Sequence, residues 1–371
     1  MKKRRLKKNA YIALLIPLII IIILVIKSQN HTKVEDVNDT KQTNVNIKEE
    51  NKEKRMSIIA VGDVLIHESV YKDAFQAKDE TYSFHKMFTE VEDIINKYDL
   101  KYCNQESTIG GSSLGISGYP SFNSPDEIGD EIVNLGFNLI SLANNHALDK
   151  GEDAVLYSNS YWKSKDVITA GAYSSNEERD EIHIYEQNGI KYTFLAYTTI
   201  SNAKVPNDYI INMYSATKAK EDIEKVKDKV DVIIVSMHWG VENTNIPTES
   251  QKQIAEYLSS LGVNMIIGAH PHVVQPVEYV GDTLVIYSLG NFISNQLVLG
   301  INNGIGLMYG TDIVVNDEGK VTFENEYKEL ILSYSENSTN FKVIPFSKLD
   351  DSKLKNYKEI ENKYMEIVNG K

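Results

Sequence analysis

Val232-Ile233-Ile234-Val235 is a run of four β-branched residues with no polar residue inside it, bounded by Asp231 and Ser236. Branching at Cβ disfavours helix and favours strand. A strand that lacks polar alternation has two apolar faces, so both must be covered, as in the parallel sheets of α/β proteins. The whole run spans residues 231–237, and four others share its character, at residues 57–61, 100–103, 138–142 and 264–267. Between them lie stretches with helical signals: residues 125–135 behind Ser124, 153–163, 216–229, and 249–261 closed by Gly262. This alternation predicts βαβ units and an α/β fold with a largely parallel sheet. Hairpin signals at Asn188-Gly189, at Gly281-Asp282 and across residues 316–319 predict a second, antiparallel sheet.

The chain is divided unevenly. Lys2, Lys3, Arg4, Arg5, Lys7 and Lys8 precede an uncharged Ile/Leu-rich stretch at residues 10–26. A basic cluster before such a stretch predicts a cytoplasmic segment at residues 1–9 and one N-terminal transmembrane helix at 10–27, with the remainder outside a cell membrane. A cleavable signal peptide is the rival reading. However, Lys27-Ser28-Gln29-Asn30-His31 offers no small-residue cleavage site, and no lipid-accepting cysteine follows. Residues 28–55, rich in Asn, Lys, Glu and Asp, read as a disordered linker. A globular domain is expected over 56–335, with a C-terminal extension at 336–371 that holds an amphipathic helix over 355–368.

Charge narrows the function. The total is −13, and the six N-terminal cations leave −19 on everything after them. Such a surface repels nucleic acid, so an anionic substrate must be held by local positive charge, for which metal ions are the natural source. A single cysteine, Cys103, rules out an intramolecular disulfide and a cysteine-based zinc knuckle, and leaves it a packing role.

Ligand-type residues follow all five strand runs. Asp63 follows the first, Asn104 and Glu106 the second, Asn144, Asn145 and His146 the third, His238 the fourth, and His270 and His272 the fifth. Singly these have ordinary readings: Asp63 after Gly62 as a turn or cap, Asn144-Asn145 as turn chemistry, His238 beside Trp239 as a packed histidine. Jointly they fall where open α/β sheets gather ligands, beyond the carboxyl ends of strands. Imidazole, carboxylate and amide donors without thiolate suit Mn, Fe or Zn better than Ca or Mg. On an extended backbone His270-Pro271-His272 points two imidazoles the same way, and Glu106 can bridge two ions.

At these residues the sequence resembles the capsule-synthesis CapA family, the poly-γ-glutamate branch of the calcineurin-like metallophosphoesterases. The match covers about residues 57–296. It is carried by Val61-Gly62-Asp63-Val64, Asn104-Gln105-Glu106, Ala143-Asn144-Asn145-His146-Ala147-Leu148-Asp149, His238-Trp239-Gly240-Val241-Glu242, Gly268-Ala269-His270-Pro271-His272 and Ser288-Leu289-Gly290-Asn291-Phe292. The resemblance implies a two-sheet β sandwich flanked by helices, with two divalent metal ions at one edge. It makes Asp63 a first-metal ligand and Glu106 the bridging carboxylate. Asn145, His238 and His270 become second-metal ligands, and His272 returns to the first metal. His146 takes the place of the histidine that contacts the substrate oxygen and protonates a leaving group, with Asp149 to orient it. Glu242, Asn291 and Gln296 are candidates to support the ligands, though a surface or turn role fits Gln296 equally.

Three departures stand out. Leu65 replaces the histidine of the usual Asp-x-His, leaving His67 or water to fill its place. Glu106 replaces an aspartate, and Ala147 replaces the acidic residue that normally follows the catalytic histidine. Two functions are expected to compete. One is a metal-dependent hydrolase or transferase acting on a phosphoester or on the poly-γ-glutamate backbone. The other is a non-catalytic assembly or export subunit beside polyglutamate synthase membrane subunits, handling an anionic polymer.

Overall fold

All five runs become strands in the computed structural model, which describes residues 53–371. The expected anchor at 10–27 and all but the last residues of the linker lie outside the described residues. Among those described, no helix is long and apolar enough to cross a membrane.

The chain enters on β1 (Lys54–Val64), makes a small separate hairpin from β2 (Phe75–Gln76) and β3 (Thr81–Tyr82), and continues into β4 (Leu100–Gln105), β5 (Leu139–Ser141) and β6 (Ile168–Ala170). There follow β7 (Tyr185–Gln187), β8 (Ile190–Thr198), β9 (Val232–His238), β10 (Met265–Ala269), β11 (Val277–Val280), β12 (Thr283–Ile286) and β13 (Asn291–Ile293). The last three strands are β14 (Ile305–Val315), β15 (Val321–Glu336) and β16 (Thr339–Pro345). One sheet runs β16-β15-β14-β1-β4-β5-β6, with β13 also against β1, and the other runs β11-β12-β10-β9-β8-β7.

Strand alternation sorts the apolar side chains into layers. Ile58, Ala60, Tyr102 and Leu139 of the first sheet pack with Phe194, Val232, Ile234, Met265 and Ile267 of the second. The opposite faces meet helices. Ile59, Val61, Cys103 and Ile140 are covered by α1 (Asp126–Asn134) and α2 (Glu152–Lys163) through Ile128, Ile132, Val155 and Trp162. Ile233, Val235 and Ile266 are covered by α3 (Ala216–Val226) and α4 (Glu249–Ser260) through Ala219, Ile223, Ala255 and Leu258. Each fully buried aliphatic side chain contributes about 1.5–3 kcal/mol, so this helix–sheet–sheet–helix stack dominates stability. Hydroxyls tie the two sheets together: Tyr102 to Ser236 at 2.7 Å and Ser236 to Ser141 at 3.0 Å.

The hairpins do not form an antiparallel sheet of their own. The β7–β8 and β11–β12 hairpins place antiparallel strands at the two edges of the second sheet, whose centre is parallel. Their β14–β15 counterpart extends the first sheet. A tight turn fixes only its own strand pair, and the central partners are set by which faces must be buried.

Both domain boundaries move. Lys54 and Arg55, expected in the linker, open β1 opposite Val315 and Val314, and Arg55 donates to Asp312 at 3.0 Å and Glu324 at 2.7 Å. Residues 336–371 are not an extension. β16 is the edge strand beside β15, and α5 (Tyr357–Val368) buries Tyr364 and Val368 in the inter-sheet core.

Candidate metal centre

Asp63 sits near the end of β1, between Asn104 on one neighbouring strand and Asn291 on the other. This needs Gly62: the carbonyl of Gly290 approaches so closely that a Cβ on residue 62 would lie 1.8 Å from it. The approach lets Asp63 N–H donate to that carbonyl at 2.9 Å. Asn104 then donates its amide to Asp63 Oδ1 at 2.8 Å. Glu106 leaves the end of β4 with its N–H on the Val64 carbonyl at 3.2 Å.

From the second sheet, His238 ends β9, and His270 and His272 follow β10. The expected extended His-Pro-His is instead a turn, with φ of 97° at His270 and 58° at His272. Such values cost non-glycine residues on the order of 1–3 kcal/mol each and cluster at functional sites. The turn is latched where Pro271 O accepts the N–H of Asn243 at 2.8 Å. The two imidazoles still converge, with ring centroids 6.0 Å apart.

The side chains meet around Glu106. Its Oε1 is 3.6 Å from His238 Nε2 and 3.6 Å from His272 Nε2. His272 Nδ1 is 3.1 Å from Asp63 Oδ2, and Asn145 Oδ1 is 2.8 Å from His238 Nε2. Ligand atoms of Glu106, His238 and His270 lie within 4.8 Å of one another, as do those of Asp63, Glu106 and His272. Glu106 belongs to both sets. A separation of 3.6 Å is too long for a hydrogen bond, but it is close to the spacing of two donors about 2.1 Å from a shared ion.

Glu106 is fully buried, and neither carboxylate oxygen has a hydrogen-bond partner; His270 Nδ1 is a buried orphan as well. A buried carboxylate left without hydrogen bonds is costly, so these atoms fit a cation. Burial pushes the Glu106 carboxyl well above its ordinary range, opposed by His272. Burial lowers His272, but Glu106 and Asp63 outweigh it and raise the imidazole to about 9. Burial and neighbouring imidazoles lower His238, and His270 falls to about 4 for the same reasons. Neutral imidazoles present the lone pairs that metals require.

Beside this cluster His146 Nδ1 lies 2.7 Å from Asp149 Oδ2, and the ring packs edge-on against Phe122 with centroids 4.7 Å apart. The Asn pair divides its labour. Asn144 makes the turn, donating to Gln105 O at 2.9 Å and accepting His146 N–H at 3.0 Å, while Asn145 faces His238. His67 belongs to neither ligand set: its Nδ1 accepts the N–H of Asn295 at 3.2 Å. Two residues beside the site went unread. Asn202, just beyond β8, places its amide 3.3 Å from His146 Nδ1 and 3.5 Å from Asn145 Nδ2, and Phe122 walls His146. Only position after a parallel strand could have flagged Asn202; nothing local marks Phe122.

The family model of the bacterial capsule synthesis protein PGA_cap matches residues 57–296, a span that contains every residue of this cluster. The chain belongs to that family. The PGA biosynthesis protein CapA of Bacillus subtilis is 30% identical over 169 residues, covering 44% of this chain and 44% of that protein. The capsule biosynthesis protein CapA of Bacillus anthracis is 24% identical over 315 residues, 80% of this chain and 71% of that one. The match to the first thus spans less than half of its length. Among solved structures, the calcineurin-like phosphoesterase YfkN from Bacillus subtilis is similar with a TM-score of 0.44 and 16% identity, covering 75% of this chain and 90% of that one.

Proposed function

We propose that this PGA_cap protein is a membrane-anchored, metal-dependent hydrolase of capsule polymer synthesis, acting outside the cell membrane on a phosphoester or on a poly-γ-glutamate backbone. The observation that carries the reading is the buried Glu106 carboxylate, unpartnered and 3.6 Å from two imidazoles, with the His146–Asp149 pair beside it. In this reading Asp63, Glu106 and His272 hold one divalent ion and Glu106, Asn145, His238 and His270 the other. Bound there, the ions would polarise a substrate oxygen and lower the pKa of water.

The remaining chemistry belongs to side chains. Asp149 accepts a hydrogen bond from the Nδ1–H of His146, which leaves Nε2 to exchange a proton with the substrate oxygen. Phe122 backs the ring and keeps water from that side. Asn202 fixes the amide of Asn145 so that its oxygen, not its nitrogen, faces His238. The anchor at residues 10–27 would hold the domain beside polyglutamate synthase membrane subunits.

The compact unit Asn51–Lys371 loaded with Mn or Zn tests this against phosphomonoesters, phosphodiesters and poly-γ-glutamate. Turnover that a chelator and His146→Ala both abolish supports it. Leu65, in place of a ligand, favours the rival reading of a non-catalytic assembly subunit. That reading is supported if the loaded protein cleaves nothing and cells carrying His146→Ala export polymer normally.

A further inference from the structure

A third carboxylate faces the centre from solvent. Glu242 has a carboxylate oxygen that lies, with ligand atoms of His270 and His272, in one group within 4.8 Å of one another. His270 is the residue whose buried Nδ1 lacks any partner. The segment bearing Glu242 is held in place rather than loose. Gly240 turns at φ 91°, and a Cβ there would meet the Gln251 side chain at 2.6 Å. Next to Glu242, Asn243 donates its N–H to the carbonyl of Pro271, the residue between the two histidines, and its side chain accepts from Asn303. Glu242 is near enough to raise the proton affinity of both Glu106 and His272.

We infer that Glu242 is a further metal ligand, closing the solvent side of the centre between His270 and His272 and making good the ligand lost at Leu65. The inference rests on the metal reading above. Charge argues the same way: Asp63 and Glu106 leave two divalent ions with an excess of two positive charges, and Glu242 reduces it to one. Because Glu242 is exposed while the other ligands are buried, its carboxylate is the one that can yield its place to an incoming anionic group without opening the core.

Mn²⁺ binding to the Asn51–Lys371 unit, followed by calorimetry and by the electron paramagnetic resonance of the bound ion, tests this for the wild type, Glu242→Gln and Glu242→Asp. The expected result is two ions on the wild type, with one of them weakened roughly tenfold or more in Glu242→Gln, and partial recovery in Glu242→Asp. The thermal midpoint of the metal-free protein should not move, since the side chain is exposed. Two ions at wild-type affinity in Glu242→Gln would overturn this inference alone. A wild type that binds no Mn²⁺ would overturn it together with the metal reading.

Discussion

His146 Nδ1 lies 2.7 Å from Asp149 Oδ2, and that same oxygen accepts the backbone N–H of Phe122 at 2.8 Å. The carboxylate is therefore fixed by the main chain and in turn fixes the imidazole, with its proton on Nδ1 and Nε2 free. Asp149→Asn can present an amide N–H to Nδ1 and reverse the tautomer. Under the proposed hydrolase reading, kcat is expected to fall about 10²-fold or more, with KM little changed. An unaltered kcat would remove His146 from proton transfer.

Metal binding should release protons. In the metal-free protein His272 is raised from 6.5 to about 9, so it is charged at neutral pH and must lose its proton to coordinate. The folded value lies above the unfolded one, so this imidazole's contribution to metal-free stability is fully present below pH 6.5 and lost as pH rises through about 9. Urea unfolding of the metal-free unit should show that decline, while metal affinity rises over the same window. Calorimetry in buffers of different ionisation enthalpy counts the protons.

How much of this could be read from the sequence varied with how local the cause was. Runs such as Val232-Ile233-Ile234-Val235 declare buried strands, and the polar residues after them gather at one edge of the two sheets. The partition of those strands between two sheets is not local. β1, β4 and β5 fall in one sheet and β9 and β10 in the other, and only long-range packing decides that. The same holds for β16, whose polar sequence at Thr339 and Asn340 looked like a tail until β15 offered it a free edge. The His-Pro-His segment departs from the extended expectation because its positive φ values have no local sequence signal, and the contact that accompanies them, at Asn243, is far away in sequence.

Arg179 and Asp222 show how strongly a buried pair can matter away from the site. Two guanidinium nitrogens meet the carboxylate at 3.0 and 2.8 Å, and Tyr197 O–H donates to it at 2.9 Å. Arg179→Ala leaves the buried Asp222 with only the Tyr197 hydroxyl and the more distant Lys225 ammonium at 3.7 Å and should cost about 3 kcal/mol in chemical denaturation. The double variant Arg179→Met with Asp222→Leu should recover most of it.

Gly62→Ala is expected to prevent folding of the β1 edge, because the added methyl would collide with the Gly290 carbonyl rather than with a movable side chain. Soluble yield and circular dichroism report this directly. Normal folding would show that β1 and the turn before β13 can separate.

The shared role of Glu106 is tested most directly by elemental analysis of Glu106→Gln beside His238→Ala. Because the neutral amide also removes the charge that faces His272 at 3.6 Å, the thermal midpoint of metal-free Glu106→Gln is measured alongside, so that lost metal is separated from unfolding. Glu106→Gln is expected to retain neither ion, whereas His238→Ala loses one and keeps the other. Two ions retained by Glu106→Gln at wild-type affinity would contradict a centre built around that carboxylate.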